Sequence, residues 1–304
     1  MSYLKYVLNK PSVAPCSSLK GIIQTLDKAQ YKTFAQKNPL GVPVQGVKFT
    51  DPLKLIYMDK GNVSTECNIF RFMLPEINKP LGLRPGEYVT LKLSDLEDFR
   101  SYRPVSSIHD NGFLDLLVKV FSTDYSQRSI GEFTQRLDAL KEGDPVYLTE
   151  VAGSMCYEGR GKFSICTEDE GMKEKIAKKV GLISEGTSIT AMFQFLQAVE
   201  EDPVDLTAFS LVSLYGNPSD ALLEDDLLRM QESGKISYFP VVESPDEMWT
   251  HGEGKISEAL IESFMPEPDD PEGLILLSGS NQMTDDCIDI LEKLGYNKDQ
   301  YQIL

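Results

Sequence analysis

The chain has 304 residues, 41% hydrophobic and 25% charged, which is the composition of an ordinary globular protein with room for two domains. Its formal net charge of −17 disfavours nucleic acid as a partner, because both molecules are negative. No apolar run approaches the roughly 20 residues that a membrane-spanning helix needs, so no membrane span is expected.

Cysteine and histidine usage limits the metal and redox chemistry of the chain. The five cysteines are scattered without a C-x-x-C pair, and there are two histidines, His109 and His251. Such a set indicates reduced thiols rather than a disulfide framework or a zinc site. We therefore expect no metal site and an intracellular reducing compartment, cytoplasmic or mitochondrial.

Residues 1–45 are interpreted as an N-terminal arm. The first 26 residues contain Lys5, Lys10 and Lys20 and no acidic residue. This composition resembles an organelle-targeting segment, but arginine is absent and prolines interrupt any amphipathic helix. A targeting segment, a loosely structured basic arm and an arm that docks a partner remain open alternatives.

Residues 46–166 show short apolar runs that alternate with polar residues. The runs are separated by Gly, Pro, Asn and Asp turns: 53-LKLIYM-58, 67-CNIFRFML-74, 88-YVTLKL-93, 113-FLDLLVKVF-121 and 145-PVYLTEV-151. One helical pattern, 129-SIGEFTQRLDAL-140, interrupts them. Closely spaced strands of this kind predict an antiparallel β-barrel.

The spacing of apolar residues changes after the charged segment 167-TEDEGMKEKIAKK-179, which is predicted to be a linker. In residues 180–304, apolar strand patterns at 180–184, 209–215, 236–242 and 274–279 are each followed by a helical pattern. This alternation predicts a parallel sheet flanked by helices. Ligands of such sheets bind beyond the carboxyl ends of the strands, where 184-SEGTSITAM-192 and 278-SGSNQM-283 lie.

The segment 100-RSYRPVSS-107 combines cations, an aromatic ring, a proline and hydroxyl groups. Arginine can bind a phosphate through two parallel hydrogen bonds, and tyrosine can stack on a planar ring. The alternative is a barrel strand whose polar side chains face solvent.

Four motifs in this order resemble those of the ferredoxin–NADP reductase superfamily, most closely the NADH–cytochrome b5 reductases. They are R-x-Y-x-P-V-S from Arg100, a helix start with G-x-x-T from Gly131, G-T-x-I-T-x-M from Gly186 and x-G-x-x-x-M from Ser278. The resemblance implies an FAD-binding barrel followed by an NAD-binding α/β domain. It also implies hydride transfer from NADH to FAD and single-electron transfer to a haem or quinone acceptor.

The resemblance assigns a first set of positions to FAD. Arg100 corresponds to the arginine that binds the pyrophosphate, and Tyr102 to the tyrosine that contacts the flavin. The remaining FAD positions are Arg103, Pro104, Val105, Ser106, Lys119, Phe121, Gly131 and Thr134. Arg103 stands where the family has Ser or Thr, and Glu132 where it has lysine.

A second set of positions is assigned to NADH. Ser278 and Thr187 are the candidate catalytic residues, and the binding positions are Gly186, Thr187, Glu243, Gly279 and Met283. An acid at Glu243 favours NADH over NADPH, because it repels a 2′-phosphate. A solvated glutamate at a strand end, and an ordinary helix N-cap around Thr187 or Thr190, are the alternatives for these residues.

Several residues depart from the motifs that the family carries at these turns. Glu185 and Ser188 replace glycines of A-G-G-T-G-I-T-P-M, and Ala191 replaces its proline. Ser278 replaces the cysteine of C-G-P-P-x-M, and Ser280 and Asn281 replace its prolines. A glutamate beside Gly186 brings negative charge to a site for an anionic nucleotide. We interpret these departures as a binding site that has drifted.

Two functional hypotheses follow. The chain is a cytochrome b5 reductase-like enzyme with weakened activity, or a non-catalytic subunit (a pseudoenzyme) that retains the fold for a structural role in a larger assembly. The expected partner is a redox protein acceptor or that host assembly, docked through residues 1–45. An acidic acceptor such as cytochrome b5 would be repelled by a chain of −17 unless a basic patch compensates.

Overall fold

A computed structural model describes residue 46 and residues 52–94, 96–121, 128–167 and 171–304 of the chain. The predicted N-terminal arm lies outside these residues. The described strands form an antiparallel sheet, a small three-stranded sheet and a parallel sheet, in chain order. The predicted fold class, an antiparallel barrel followed by a parallel-sheet α/β domain, is therefore confirmed. Among the residues that the structure describes, no helix has the length and apolar character needed to span a membrane.

Six antiparallel strands build the first sheet, in the order β4-β3-β6-β1-β2-β5. They are β1 Leu53–Asn62, β2 Cys67–Met73, β3 Tyr88–Leu93, β4 Phe99–Tyr102, β5 Phe113–Lys119 and β6 Pro145–Ala152. A bridge between Pro104, just after β4, and Leu116 of β5 joins the two edge strands. The alternating apolar side chains predicted from the sequence fill the interior, as the buried Leu55, Phe70 and Leu91 illustrate.

One helix, α1 Arg128–Asp138, covers the barrel core. Its position matches the predicted helical pattern over 129–140. Phe133 and Leu137 are spaced four residues apart, so both side chains lie on one helix face, and both are fully buried in the barrel cluster.

A three-stranded sheet, β7 Met155–Gly159, β8 Lys162–Thr167 and β9 Gly171–Ile176, follows the barrel. Strand β9 lies inside the segment predicted as a linker and pairs antiparallel with β8. Its side chains are mostly exposed, so the strand is held by backbone hydrogen bonds. Because it buries little apolar surface, the sequence pattern gave no strand signal there.

The parallel sheet has the strand order β13-β12-β11-β10-β14-β15. Its strands are β10 Lys179–Glu185, β11 Ala208–Tyr215, β12 Ile236–Val242, β13 Gly252–Glu253, β14 Gly273–Ser278 and β15 Tyr301–Ile303. The helices are α2 Ile189–Glu201, α3 Glu224–Gln231, α4 Glu258–Phe264 and α5 Asn281–Lys293. The central strands are the four predicted ones, and the short edge strands β13 and β15 add to them.

Helix α2 joins the two domains. The side chain of Gln194 accepts a hydrogen bond from Gly86 N–H (3.0 Å) and donates to Glu87 C=O (3.2 Å). Gln197 donates to Val105 C=O (3.1 Å), and Ser107 donates to Glu201 (2.9 Å). A single apolar cluster also contains residues of both domains. The barrel and the parallel sheet therefore share a packed interface.

Candidate functional site

The segment after β4 is held tightly against β5. Val105 N–H donates to Asp115 C=O (2.9 Å), and Asp115 N–H donates to the hydroxyl of Ser106 (3.1 Å). Val105 is fully buried and Ser106 nearly so. Three of the predicted FAD positions, Pro104, Val105 and Ser106, are therefore buried and fix the position of the partly exposed residues before them.

Arg100 and Tyr102 lie beside the ring of Phe133 from α1. The Arg100 guanidinium lies 5.7 Å from the centre of that ring, donates to Phe99 C=O (2.8 Å) and pairs with the exposed Asp98 at 3.3 Å. The Tyr102 ring is 6.4 Å from the Phe133 ring, centre to centre. Burial raises the pKa of the Tyr102 phenol well above its usual range, and nearby Arg100 opposes that shift. The hydroxyl of Tyr102 is therefore a neutral hydrogen-bonding group.

Arg103 is a half-buried cation with an unsatisfied donor. Its Nε is buried and has no hydrogen-bond partner in the part of the chain that the structure describes. The guanidinium carbon lies 5.9 Å from the centre of the Tyr88 ring. Burial lowers the pKa of the Arg103 guanidinium. A buried donor without an acceptor costs free energy, so this atom is suited to an acceptor from a ligand.

The end of β5 is tied to α1. Phe121 N–H donates to the Thr134 hydroxyl, which in turn donates to Gly131 C=O, both at 3.2 Å. Lys119 forms an ion pair with Glu66 (2.8 Å) and lies over the Phe121 ring. The hydrogen bond with Glu66 raises the pKa of Lys119, which remains a cation. The helix begins at Arg128, so Gly131 and Thr134 lie inside α1 rather than at the helix start expected from the sequence. Thr134 ties the middle of α1 to the end of β5, and Lys119 is a surface cation paired with Glu66.

The turn after β10 starts with an open glycine. Gly186 has φ +56°, and a Cβ added there meets no atom within 4 Å other than those of its chain neighbours. The turn continues as a short 3₁₀ helix, Gly186–Ser188, into α2, and Thr187 is partly exposed. The main chain at Gly186 is therefore accessible to a ligand.

Glu185 reaches across to the turn after β14. Its carboxylate accepts a hydrogen bond from Ser280 N–H (2.8 Å). A Cβ added to Gly279 would lie 2.9 Å from Glu185 Cβ and 2.2 Å from Met283 Cε. The side chains of Glu185 and Met283 therefore cover Gly279, whereas Ser278 is buried at the end of β14.

Glu243 follows β12 at the same edge of the sheet. Its N–H donates to Tyr215 C=O (3.0 Å), and its exposed carboxylate lies 3.7 Å from the ammonium of Lys255. Sequence reasoning did not pair these residues, because Lys255 comes from a separate segment after β13. At this long distance and exposure the pair contributes little to stability.

The two sets of predicted positions meet at the domain interface. The turn Gly186–Ser188 contacts β5, the strand that holds the segment 103–106. Val105 and Leu117 of the barrel and Ile189 of α2 belong to one apolar cluster. Sequence reasoning missed Gln194 and Gln197, two polar side chains in the apolar run of α2, which could have indicated contacts to another domain.

Comparisons with known proteins agree with this arrangement. Residues 54–157 match the family described as oxidoreductase FAD-binding domain, and residues 182–289 match oxidoreductase NAD-binding domain. NADH-cytochrome b5 reductase 3 of Mus musculus is 32% identical over 277 residues, which cover 88% of this chain and 91% of that protein. The chain belongs to the NADH–cytochrome b5 reductase family. NADH-cytochrome b5 reductase 1 of Bos taurus is also 32% identical, over 95% of this chain and 97% of that protein.

A solved structure supports membership of the NADH–cytochrome b5 reductase family. The cytochrome b5 reductase domain of Ulva prolifera nitrate reductase superposes with a TM-score of 0.75 and 25% identity. The match covers 84% of this chain and 97% of that structure. Together with the two domain families, these relatives support binding of FAD and NADH.

The barrel of this reductase family member fits FAD. The unsatisfied Nε of Arg103 needs an acceptor, and FAD carries phosphate and ring carbonyl oxygens. The Arg100 guanidinium pairs with the exposed Asp98 at 3.3 Å and donates to Phe99 C=O at 2.8 Å, and it can exchange the ion pair for a phosphate. Tyr102 adds an aromatic ring beside them.

The α/β domain of the family member fits a dinucleotide at one of its two glycines. Gly186 offers open main chain at the start of α2. Gly279 is covered, because the stem of Glu185 lies over it. A ligand can contact Gly279 only after the side chains of Glu185 and Met283 have both moved.

Proposed function

We propose that this chain is an NADH-dependent FAD reductase that passes single electrons to a haem or quinone acceptor. In this proposal, residues 46–166 bind FAD and residues 180–304 bind NADH. The observation that supports it best is the contact between the Gly186–Ser188 turn and β5. A dinucleotide on that turn and a flavin on the segment after β4 would adjoin each other.

The residues of the barrel would hold FAD, whose chemistry would link the two-electron hydride of NADH to single-electron transfer to the acceptor. The protein residues hold and orient the reactants. Arg100 and Arg103 supply N–H donors to oxygen atoms of FAD, and Tyr102 supplies a flat face and a neutral hydroxyl. The apolar cluster around Val105 and Ile189 keeps water from the domain interface behind them.

We assign Thr187 and Ser278 to the reactive end of NADH. Ser278 lies at the carboxyl end of β14, and Thr187 at the carboxyl end of β10. Serine is smaller and less polarizable than the cysteine of the related motif, so we expect hydride transfer to be slow. Ser278→Cys should accelerate flavin reduction by NADH, and an unchanged rate would argue against this role.

Glu243 is proposed to select NADH over NADPH. Its exposed carboxylate would repel a 2′-phosphate, while a ribose hydroxyl could donate a hydrogen bond to it. Glu243→Gln should narrow the preference for NADH, measured as the ratio of kcat/KM for the two nucleotides. An unchanged ratio would refute this assignment.

The proposed function is tested by the visible spectrum of the purified protein. Flavin absorption bands should appear on purification or after saturation with FAD, and anaerobic NADH should bleach them. Absence of flavin binding would remove the enzymatic proposal and favour a non-catalytic role of the fold. Flavin binding without bleaching would leave a flavoprotein that does not use NADH. Reoxidation by haem proteins and quinones then identifies the class of acceptor.

A further inference from the structure

Two hydrogen-bonded contacts connect the turn after β10 with the turn after β14. The first is the bond from Ser280 N–H to the Glu185 carboxylate, at 2.8 Å. In the second, the Ser188 hydroxyl is within hydrogen-bonding distance of the Ser278 carbonyl oxygen across the two turns and of the Glu185 carbonyl oxygen in its own turn. The same hydroxyl accepts a hydrogen bond from Glu185 N–H (3.0 Å). We call these contacts, made by Glu185, Ser188, Ser278 and Ser280, the latch.

The latch covers one of the two glycines at this edge of the sheet. The stem of Glu185 lies where a side chain of Gly279 would stand, with 2.9 Å between the two Cβ positions. A glycine at a ligand-binding turn is useful because its main chain can be approached closely. While the latch is closed, Glu185 occupies that space together with Met283, whose Cε lies 2.2 Å from the same Cβ position.

The residues of the latch depend on one another. The related motif has glycine at position 185 and proline at position 280. Proline has no N–H to donate and glycine has no carboxylate to accept, so this hydrogen bond needs both substitutions. The departures at 185, 188 and 280, which the sequence analysis interprets as drift, form one connected set of contacts.

We propose that the Glu185 side chain is an internal competitor of the dinucleotide, so that latch opening sets the affinity and specificity of the nucleotide site. This inference rests on the proposed function. Binding of a dinucleotide across Gly186 and Gly279 requires the flexible Met283 side chain to shift and Glu185 to leave Gly279 and release Ser280 N–H. A ligand then pays for latch opening, and its apparent affinity falls by the fraction of molecules that are open.

The strength of the latch sets the size of the effect. The hydrogen bond to Glu185 is charge-assisted but lies at the surface, which places it at the low end for such bonds. We expect removal of the latch to tighten dinucleotide binding about tenfold, which corresponds to about 1.4 kcal/mol.

The experiment measures the dissociation constant of NAD⁺ by calorimetry on the full-length protein saturated with FAD. Glu185→Gly removes the stem and the carboxylate and should tighten binding about tenfold. Glu185→Gln keeps the stem and an acceptor oxygen, so its effect should be smaller. Ser280→Pro removes the donor at a residue whose φ of −65° suits proline, and should also tighten binding.

Glu253→Ala is the matched control. Glu253 is an exposed acid of β13 at the same sheet edge, and its removal changes the net charge by the same amount as Glu185→Gly. The control should bind NAD⁺ like the natural protein, and thermal unfolding of each variant verifies that it is folded.

Three outcomes would overturn the proposal. The first is an equal NAD⁺ dissociation constant for the natural protein and Glu185→Gly, and the second is no NAD⁺ binding by either. The third is equal tightening by Glu185→Gln and Glu185→Gly together with no effect of Ser280→Pro. The last outcome would mean that charge repulsion, rather than occupancy of Gly279, limits binding. Bleaching of the flavin by NADH reports separately on the proposed function, so bleaching together with any of these three outcomes would overturn the latch proposal and leave the proposed function standing.

Discussion

Removal of the Arg71 guanidinium should destabilise the barrel strongly. Arg71 of β2 forms two hydrogen bonds with Asp115 of β5, Nε to Oδ1 at 2.7 Å and Nη2 to Oδ2 at 2.6 Å. The side chain of Asp115 has no exposed surface. In the natural protein the Arg71 guanidinium lies 4.1 Å from the centre of the Phe113 ring. Arg71→Met retains an apolar stem beside that ring but leaves the buried Asp115 carboxylate without the Arg71 cation.

The expected loss follows from the burial of Asp115. Breaking a buried ion pair from one side costs about 3–5 kcal/mol, because the remaining charge is desolvated without compensation. A loss of about 4 kcal/mol is a large part of the roughly 5–15 kcal/mol that stabilises a typical protein. At about 2–4 °C per kcal/mol, the melting temperature should fall by roughly 10 °C.

Urea denaturation followed by circular dichroism measures this loss. The double variant Arg71→Met/Asp115→Leu should recover most of the stability, because neither partner then leaves a buried charge. Arg229→Met, which removes an exposed arginine of α3, is the control and should change little. A loss below about 1 kcal/mol for Arg71→Met, or no recovery in the double variant, would refute the reasoning.

Three further predictions concern other parts of the molecule. Burial, with a contribution from Asp115, raises the pKa of Asp110 to about 7, so the folded state holds a proton that the unfolded state releases. Stability should therefore fall as pH rises from about 4 to 7, and Asp110→Asn should flatten that slope in urea melts; an unchanged slope would contradict it. Gly86→Ala should lower the melting temperature more than Gly143→Ala. Both glycines have positive φ, but a Cβ added at Gly86 would lie 2.2 Å from the carbonyl oxygen of Met155, whereas a Cβ added at Gly143 meets open space. Equal decreases in melting temperature for the two variants would argue against that clash. Among the four described cysteines, the exposed Cys166 should react first with a thiol reagent in peptide mapping. The others are buried, and burial raises the pKa of the Cys156 thiol to about 11 and that of Cys287 to about 12; faster labelling of either would be inconsistent with the packing.

The sequence predicted those elements that bury one regular face. The barrel strands alternate apolar and polar residues, and the central strands of the parallel sheet are continuous apolar runs, so both gave clear periodic signals. Strand β9 is exposed, and β13 and β15 are only two and three residues long. Such edge strands are held by backbone pairing, which leaves no hydrophobic pattern to detect.

The sequence named candidate positions for the site but not the contacts that those residues make. The motifs identified Arg100, Tyr102 and Gly186, whose roles towards a ligand remain predictions. The partner of Glu185 could not be predicted, because Ser280 is 95 residues away in sequence and meets it only through the pairing of β10 with β14. The buried support role of Val105 also depends on which side of the segment faces β5, and motif spacing does not specify that side.

The way helix α2 joins the barrel to the parallel sheet limits how the chain can be divided. Its glutamines satisfy backbone groups of the barrel, at Gly86, Glu87 and Val105, and its apolar face belongs to the cluster that both halves share. A fragment ending before α2 would leave those groups unpaired and expose apolar surface to water. We therefore expect the halves to melt in a single cooperative transition, and neither half to be recovered as a stable fragment after proteolysis.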